Sequence, residues 1–153
     1  MPTSRPIAFR PATAADAEVL TLIVHESHGY RTPEERALVQ SIVLTPEYLT
    51  ENASRILEYQ GETAGFYTLL AVDSEMELDM FFVDERFARL GLGRALFEDM
   101  CRLAKHLGAR EVVIVSNPDA AAFYERMGAR PDGAAPPTSR IPWSRPRYRV
   151  DMG

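Results

Sequence analysis

The sequence predicts a mixed α/β fold, and three observations carry that prediction. Three strand segments follow one another closely between Arg55 and Val83, with turn residues between them. Behind Gly91 and Gly93, Leu92, Leu96, Leu103 and Leu107 recur at helical spacing and mark a long amphipathic helix. Helical segments come before the strands, and the order strand–helix–strand–helix–strand comes after them. With 153 residues, 46% of them apolar, the chain suits one compact domain with a proper core.

The elements follow in order. Ile7-Ala8-Phe9-Arg10 reads as a short strand. Thr13 with Asp16 three residues on is a capping-box start, Asp standing in for Glu or Gln, for a helix to about Glu26. Its apolar face carries Ala17, Leu20 and Val24. His25 to Tyr30 is a break. Pro33 at a first helical position opens a second helix through Ala37, Ile42 and Val43. Pro46 to Asn52 holds one more helical turn. Arg55–Gln60 and Thr63–Val72 form a hairpin around Gly61-Glu62, and Asp73-Ser74 turns into a strand over Glu75–Val83. The long helix runs from about Gly91 to Leu107, with Gly108 as its C-terminal cap. Glu111–Val115 is a buried strand, and Pro118–Met127 a short helix ending at Gly128. Pro131, Pro136, Pro137, Pro142 and Pro146 predict an irregular tail before a last strand around Tyr148–Met152.

Composition narrows the function. The net charge of −5 argues against nucleic acid as a partner, since that recognition demands a basic face. No apolar run approaches the roughly 18 residues of a membrane span. No signal-peptide core follows Met1-Pro2-Thr3-Ser4-Arg5. One cysteine, Cys101, excludes an internal disulfide and a multi-cysteine metal site. The expectation is a cytoplasmic domain without metal, nucleic-acid partner or membrane partner.

The most informative stretch runs from Phe81 to Leu96. An apolar strand enters a polar turn, and Gly91 and Gly93 then open the long helix. The first helical turn carries N–H groups without intrahelical partners, and the macrodipole adds partial positive charge there. A phosphate can approach side-chain-free glycines closely, and Arg89 and Arg94 add formal charge. The stretch reads as a pyrophosphate site. A P-loop would need Gly-Lys-Ser or Gly-Lys-Thr where Gly93-Arg94-Ala95 stands. A dinucleotide site would want Gly or Ala at Leu96, although Glu111, twenty residues past Gly91, keeps that reading open. Coenzyme A satisfies the pattern.

Two separate segments resemble the GCN5-related N-acetyltransferase family. Ala88-Arg89-Leu90-Gly91-Leu92-Gly93 occupies the frame of its acyl-CoA signature, Gln/Arg-x-x-Gly-x-Gly/Ala. Asn117 through Ala120-Ala121-Ala122 to Tyr124-Glu125 and Gly128 is similar to its later signature. The hairpin Gln60–Phe66 also looks like the family's second and third strands. The likeness runs from about Ile7 to Gly128, and the tail fits less closely. Ala88 departs from the family's usual Gln or Arg, and Ala129 replaces a common aromatic.

The resemblance implies a single N-acetyltransferase domain over residues 1–153. It implies a mostly antiparallel mixed sheet, flanked by helices and splayed between the Glu75–Val83 and Glu111–Val115 strands to admit acetyl-CoA. It implies direct acetyl transfer to a primary amine of a small molecule or peptide. Phe81 and Val83 would pair with the pantetheine arm. The amides of Arg89, Leu90, Gly91, Leu92, Gly93 and Arg94 would hold the pyrophosphate. Asn117 would bind the cofactor arm or an ordered water, and Tyr124 would protonate the departing thiolate. An ammonium of pKa about 10.4 must lose a proton before it attacks. Strict alternation puts Glu77 and Asp79 on one strand face with Phe81 and Val83, so these two acids are the candidate bases.

Simpler readings stand beside these. The glycine turn could be only a tight connection, Tyr124 a core aromatic, and Glu77 and Asp79 a solvated strand face. Ala88 and the unassigned base leave a non-catalytic acyl-CoA-binding or sensing domain as the alternative function. Cys101, four residues after Phe97, reads as a buried structural thiol. His25, His28 and Tyr30 fall where the family builds its acceptor pocket. Arg140, Arg145, Arg147 and Arg149, with Trp143, could meet an anionic acceptor or the 3′-phosphate of CoA. The last strand and the proline-rich tail are the candidate elements of a homodimer.

Overall fold

A computed structural model describes residues 6–27 and 30–153, so His28 lies outside the described residues. The chain opens with β1 (Ile7–Pro11) and a 3-10 turn over Ala14–Asp16 that leads into α1 (Ala17–His25). Asp16 organises this start. Its carboxylate accepts from the Thr13 N–H at 2.7 Å and the Thr13 hydroxyl at 3.0 Å, and Arg10 grips it bidentately at 2.9 Å. Two short helices follow, α2 (Pro33–Gln40) and α3 (Pro46–Glu51). Thr32 and Glu35 cap α2 reciprocally, at 3.0 and 3.1 Å, with Pro33 at its first position. The helix stops short of Ile42 and Val43. The Gln40 side chain instead donates to the His25 carbonyl at 2.6 Å, while His25 Nε2 meets the Ile42 carbonyl at 2.6 Å.

β2 (Ala53–Tyr59) and β3 (Glu62–Val72) form the expected hairpin, turning through positive φ at Gln60 and Gly61. Next come β4 (Glu75–Val83), a 3-10 turn over Glu85–Phe87, α4 (Leu92–His106) and β5 (Glu111–Val115). A 3-10 turn over Pro118–Ala120 enters α5 (Ala121–Arg126), and β6 (Arg130–Ala135) and β7 (Arg145–Asp151) end the described fold. The strands make one seven-stranded sheet in the order β1-β2-β3-β4-β5-β7-β6. Every pairing is antiparallel except β4 with β5. β6 corrects the expectation of a wholly irregular tail. It is an exposed edge strand, where proline breaks no ladder that a neighbour needs.

The sheet separates two cores. On one face α4 and α5 press Leu92, Leu96, Met100, Ala104 and Tyr124 against Tyr67, Leu78, Ile114 and Tyr148. On the other, α1, α2 and α3 bring Leu20, Val24, Val39 and Leu49 onto Ile56 and Phe66. Each such leucine contributes roughly 1.5–3 kcal/mol through burial. The buried stripe of α4 runs through Phe97 and Met100 rather than on to Leu107, which is 49% exposed.

β4 carries the irregularity that matters for function. Its register against β3 jumps from Thr68–Met80 to Leu69–Leu78, leaving Asp79 as an extra residue. Such a bulge bends and twists the strand that bears it. The parallel ladder to β5 joins Met76, Leu78 and Glu77 to Val112, Ile114 and Val113, and it ends at the bulge. β4 then runs on to Val83 without β5 beside it. The expected splay is present, and the bulge is its physical origin.

Candidate functional site

A cleft of about 310 Å³ opens where β4 leaves β5. Phe81, Phe82 and Val83 line it from the strand, Gly93 from the start of α4, and Asn117, Phe123 and Tyr124 from the segment after β5. Ser27 and Tyr30 close it from the loop after α1. A larger hollow of about 1210 Å³ lies at the other end of β4 and β5. Of its lining arginines, Arg149 is neutralised by Glu75 at 2.9 Å and Glu111 at 3.0 Å. Ligands of open α/β sheets favour the carboxyl ends of parallel strands, which is where the smaller cleft sits.

The turn into α4 presents donors without acceptors. Asp84 is buried and caps the turn by accepting from the Arg86 N–H at 2.9 Å. The Arg86 guanidinium folds back on Asp84 at 3.1 Å and reaches Glu62 at 3.3 Å, so its charge is spent on the fold. Arg89 at φ 66° and Gly91 at φ 76° then turn the backbone through left-handed geometry, Gly91 serving as N-cap of α4. Ala95 is the first amide bonded back, to the Gly91 carbonyl at 3.3 Å. Leu92, Gly93 and Arg94 therefore begin the helix with amides that have no carbonyl one turn behind. No acidic residue occupies this first turn, and among the described residues Arg89 and Arg94 form no ion pair. Leu92 can offer only its backbone, because its side chain is buried. Leu90 is 51% exposed. At Gly93 a Cβ would stand 3.2 Å from the Phe123 ring, so the lack of a side chain lets α5 pack against the cradle.

Tyr124 lies on the same side of the sheet. Its ring packs among Phe81, Phe97, Phe123 and Tyr148, with centroids 5.3–6.4 Å apart. Burial, reinforced by Tyr30, holds its hydroxyl far above the ordinary phenol pKa, so it stays protonated. Burial also pushes Tyr30 up to about 12, with Glu35 adding to the effect. The Asn117 side chain accepts from the Ala120 N–H at 3.2 Å, which caps the turn into α5 and fixes Asn117 at the rim.

Glu77 and Asp79 require a correction. The bulge breaks strict alternation, so Met76 and Leu78 share the α4 face with Phe81 and Val83, whereas Met80 and Phe82 face α1–α3. Glu77 is on the opposite face from Phe81, and neither acid lines the cleft. The Tyr48 hydroxyl of α3 donates to the Asp79 carboxylate. Glu77 is half-buried, and its pKa is raised first by that burial and then by Asp79, against Arg147 and Arg145, which pull it down. Tyr48 had no sequence signal, being 31 positions from Asp79 on a helix of six residues.

The remaining candidates separate by their contacts. The His25 ring meets the Ile42 carbonyl, Tyr30 lines the cleft, and Cys101 is a half-buried thiol whose pKa burial raises. Arg149 is committed to Asp132, Glu75 and Glu111. No described helix is long and apolar enough to cross a membrane, and no described group of three His, Cys, Asp or Glu could hold a metal ion.

The family model described as acetyltransferase (GNAT) family matches residues 17–129. No curated protein matches the chain. Among solved structures, a GCN5-related N-acetyltransferase from Rhodopseudomonas palustris aligns with a TM-score of 0.82 at 20% identity, over 99% of this chain and 98% of that one. The ribosomal-protein-S18-alanine N-acetyltransferase from Escherichia coli aligns with a TM-score of 0.72 at 19% identity, over 96% and 94%. A GNAT family acetyltransferase from Elizabethkingia anophelis, solved with acetyl-CoA bound, aligns with a TM-score of 0.71 at 20% identity, over 97% and 99%. At these identities the likeness is one of fold.

Proposed function

The chain belongs to the GNAT acetyltransferase family, and from that premise we propose that it acetylates a primary amine of a small molecule or peptide by direct attack, working as one domain over residues 1–153. The observation that carries this reading is the open amide cradle at α4, which faces the same cleft as the protonated, buried Tyr124. Acetyl-CoA supplies the activated acyl thioester. The amides from Arg89 to Arg94 bind its pyrophosphate, and Arg89 and Arg94 add charge at the rim. The backbone of Phe81 to Val83, free of β5, offers a strand edge to the pantetheine arm. Asn117 orients the arm or a water beside it.

Glu77 accepts the ammonium proton through water from across β4, and Asp79 sustains its basicity. Tyr124 donates the proton that the departing sulfur takes up. A thiol of pKa about 8.5 needs a well-placed acid rather than a strong one, which suits a buried phenol. Ala88 offers no side-chain donor, and its amide is spent on the Glu85 carbonyl at 3.2 Å, so the cradle depends on the amides beyond it.

The test is thiol release from acetyl-CoA over polyamines, amino acids, aminoglycosides and peptide N-termini, with Tyr124→Phe alongside. Amine-dependent release is expected, falling about 10²-fold in the variant while acetyl-CoA affinity holds. Tight acetyl-CoA binding with no release on any amine would favour an acyl-CoA sensor instead. Absence of binding would defeat both readings.

A further inference from the structure

The face of the sheet opposite the cradle carries a second set of polar groups that the transfer chemistry leaves unexplained. Arg145 and Arg147 flank Pro146, whose carbonyl accepts from the Ser116 N–H at 2.9 Å, at the end of β5 where the cleft opens. Tyr148 packs into the α4 core, so alternation along β7 turns Arg145 and Arg147 to the other face, the face of Glu77. Arg147 comes to 4.0 Å from Glu75, which lies two residues before Glu77 on β4, and the charges of both arginines pull the Glu77 pKa down. Arg145 Nε, Arg147 Nε and Trp143 Nε1 are buried, and none has a hydrogen-bond partner among the described residues. Arg147 reaches Asp132 at only 3.5 Å and Glu75 at 4.0 Å, and Arg145 has no ion pair among the described residues. Buried donors left unmade cost free energy unless a ligand or water completes them.

Two of the acids nearby are already occupied. Glu75 is held by Arg149 at 2.9 Å and Asp79 by Tyr48. That leaves Glu77 to meet one ammonium while the buried arginine donors still lack an acceptor, so a single amine carrying its own anion fits this face better than a polycation. The 3′-phosphate of CoA fits poorly too, since the pyrophosphate cradle lies across the sheet.

We propose that the acceptor is a small amine bearing an acidic group a few bonds from its nitrogen, with Arg145 and Arg147 gripping the acid and Glu77 facing the amine. A carboxylate and a phosphonate share the required chemistry. The inference rests on the transferase reading for the role of Glu77, but the anion grip itself is testable by binding alone.

The experiment is calorimetric titration of the CoA-loaded full chain with the twenty proteinogenic L-amino acids, their carboxamides, and 2-aminoethylphosphonate. The expected result is that an amino acid, or the phosphonate, binds roughly 10- to 100-fold tighter than neutral analogues, the range of a charge-assisted hydrogen bond. Arg145→Gln should erase that preference and Arg145→Lys restore part of it, with CoA affinity unchanged. Equal binding of acids and amides, no acid binding up to millimolar concentration, or a preference untouched in Arg145→Gln would each overturn the proposal. Acid binding without acetyl transfer would keep the anion site and remove the transferase reading. Transfer confined to polyamines would do the reverse.

Discussion

Glu77 and Asp79 are two positions apart, yet their surroundings give them different work. Asp79 is engaged by the Tyr48 hydroxyl, whereas Glu77 has its pKa raised by burial and by the Asp79 charge. A carboxylate acts as a base only when ionised, so kcat/KM should rise with pH through the raised Glu77 pKa and level off above it. Glu77→Gln should cut kcat about 10²-fold and remove that acid limb. Asp79→Asn takes away a like charge, so Glu77 ionises more readily and the limb moves to lower pH. A kcat/KM profile against pH for the three proteins decides the matter. A limb that stays in place in both variants would belong to the acceptor amine and would exclude Glu77 as the base.

At the scale of elements, the strand–turn–helix from β4 to α4 was legible because each step leaves a residue-level mark. The apolar strand, Gly91 where φ must be 76°, and the apolar stripe of α4 all stand in the sequence. Alanine at position 91 would meet no atom within 4 Å, so its whole cost is the left-handed backbone. Gly91→Ala should therefore lose about 1 kcal/mol of stability, roughly 2–4 °C in melting temperature, and weaken acetyl-CoA binding by tilting the cradle amides. Calorimetric melting and acetyl-CoA titration read the two effects separately. A variant as stable as the parent with full acetyl-CoA affinity would mean that the cradle tolerates another N-cap geometry. The bulge at Asp79 left no comparable mark. It arises from pairing between β3 and β4, and no local composition distinguishes Asp79 from any polar residue on a strand. Missing it reversed the face assigned to both acids. β6 was hidden for a related reason, since an exposed edge strand needs neither apolar alternation nor a full ladder.

Across the whole molecule, the sheet divides a core built by α4 and α5 from one roofed by α1 to α3, and the proposed reaction puts the cofactor on the first side and the acceptor on the second. The two sides meet at the cleft where β4 parts from β5, so in the proposed reaction the roof has to stay seated for acceptor and thioester to meet there. An ion-pair latch fastens its leading edge. Arg10 of β1 holds Asp16 at 2.9 Å at the entrance to α1 and Glu58 of β2 at 3.0 Å. The Arg10 guanidinium lowers the Asp16 carboxyl from 3.8 to about 2. Because folding depresses this pKa, its contribution is complete above pH 3.8 and drains away as pH falls from there towards 2. Solvent around the partly exposed Arg10 screens the pair, leaving about 1 kcal/mol at neutral pH. Asp16→Asn should be less stable by about that amount at pH 7, and the gap should narrow as the parent is acidified through this window. Urea midpoints at intervals from pH 7 down to the lowest pH at which both proteins fold would measure it. A gap that persists unchanged into acid would assign the loss to the Thr13 cap, whose hydrogen bonds do not need the carboxylate charge in order to form.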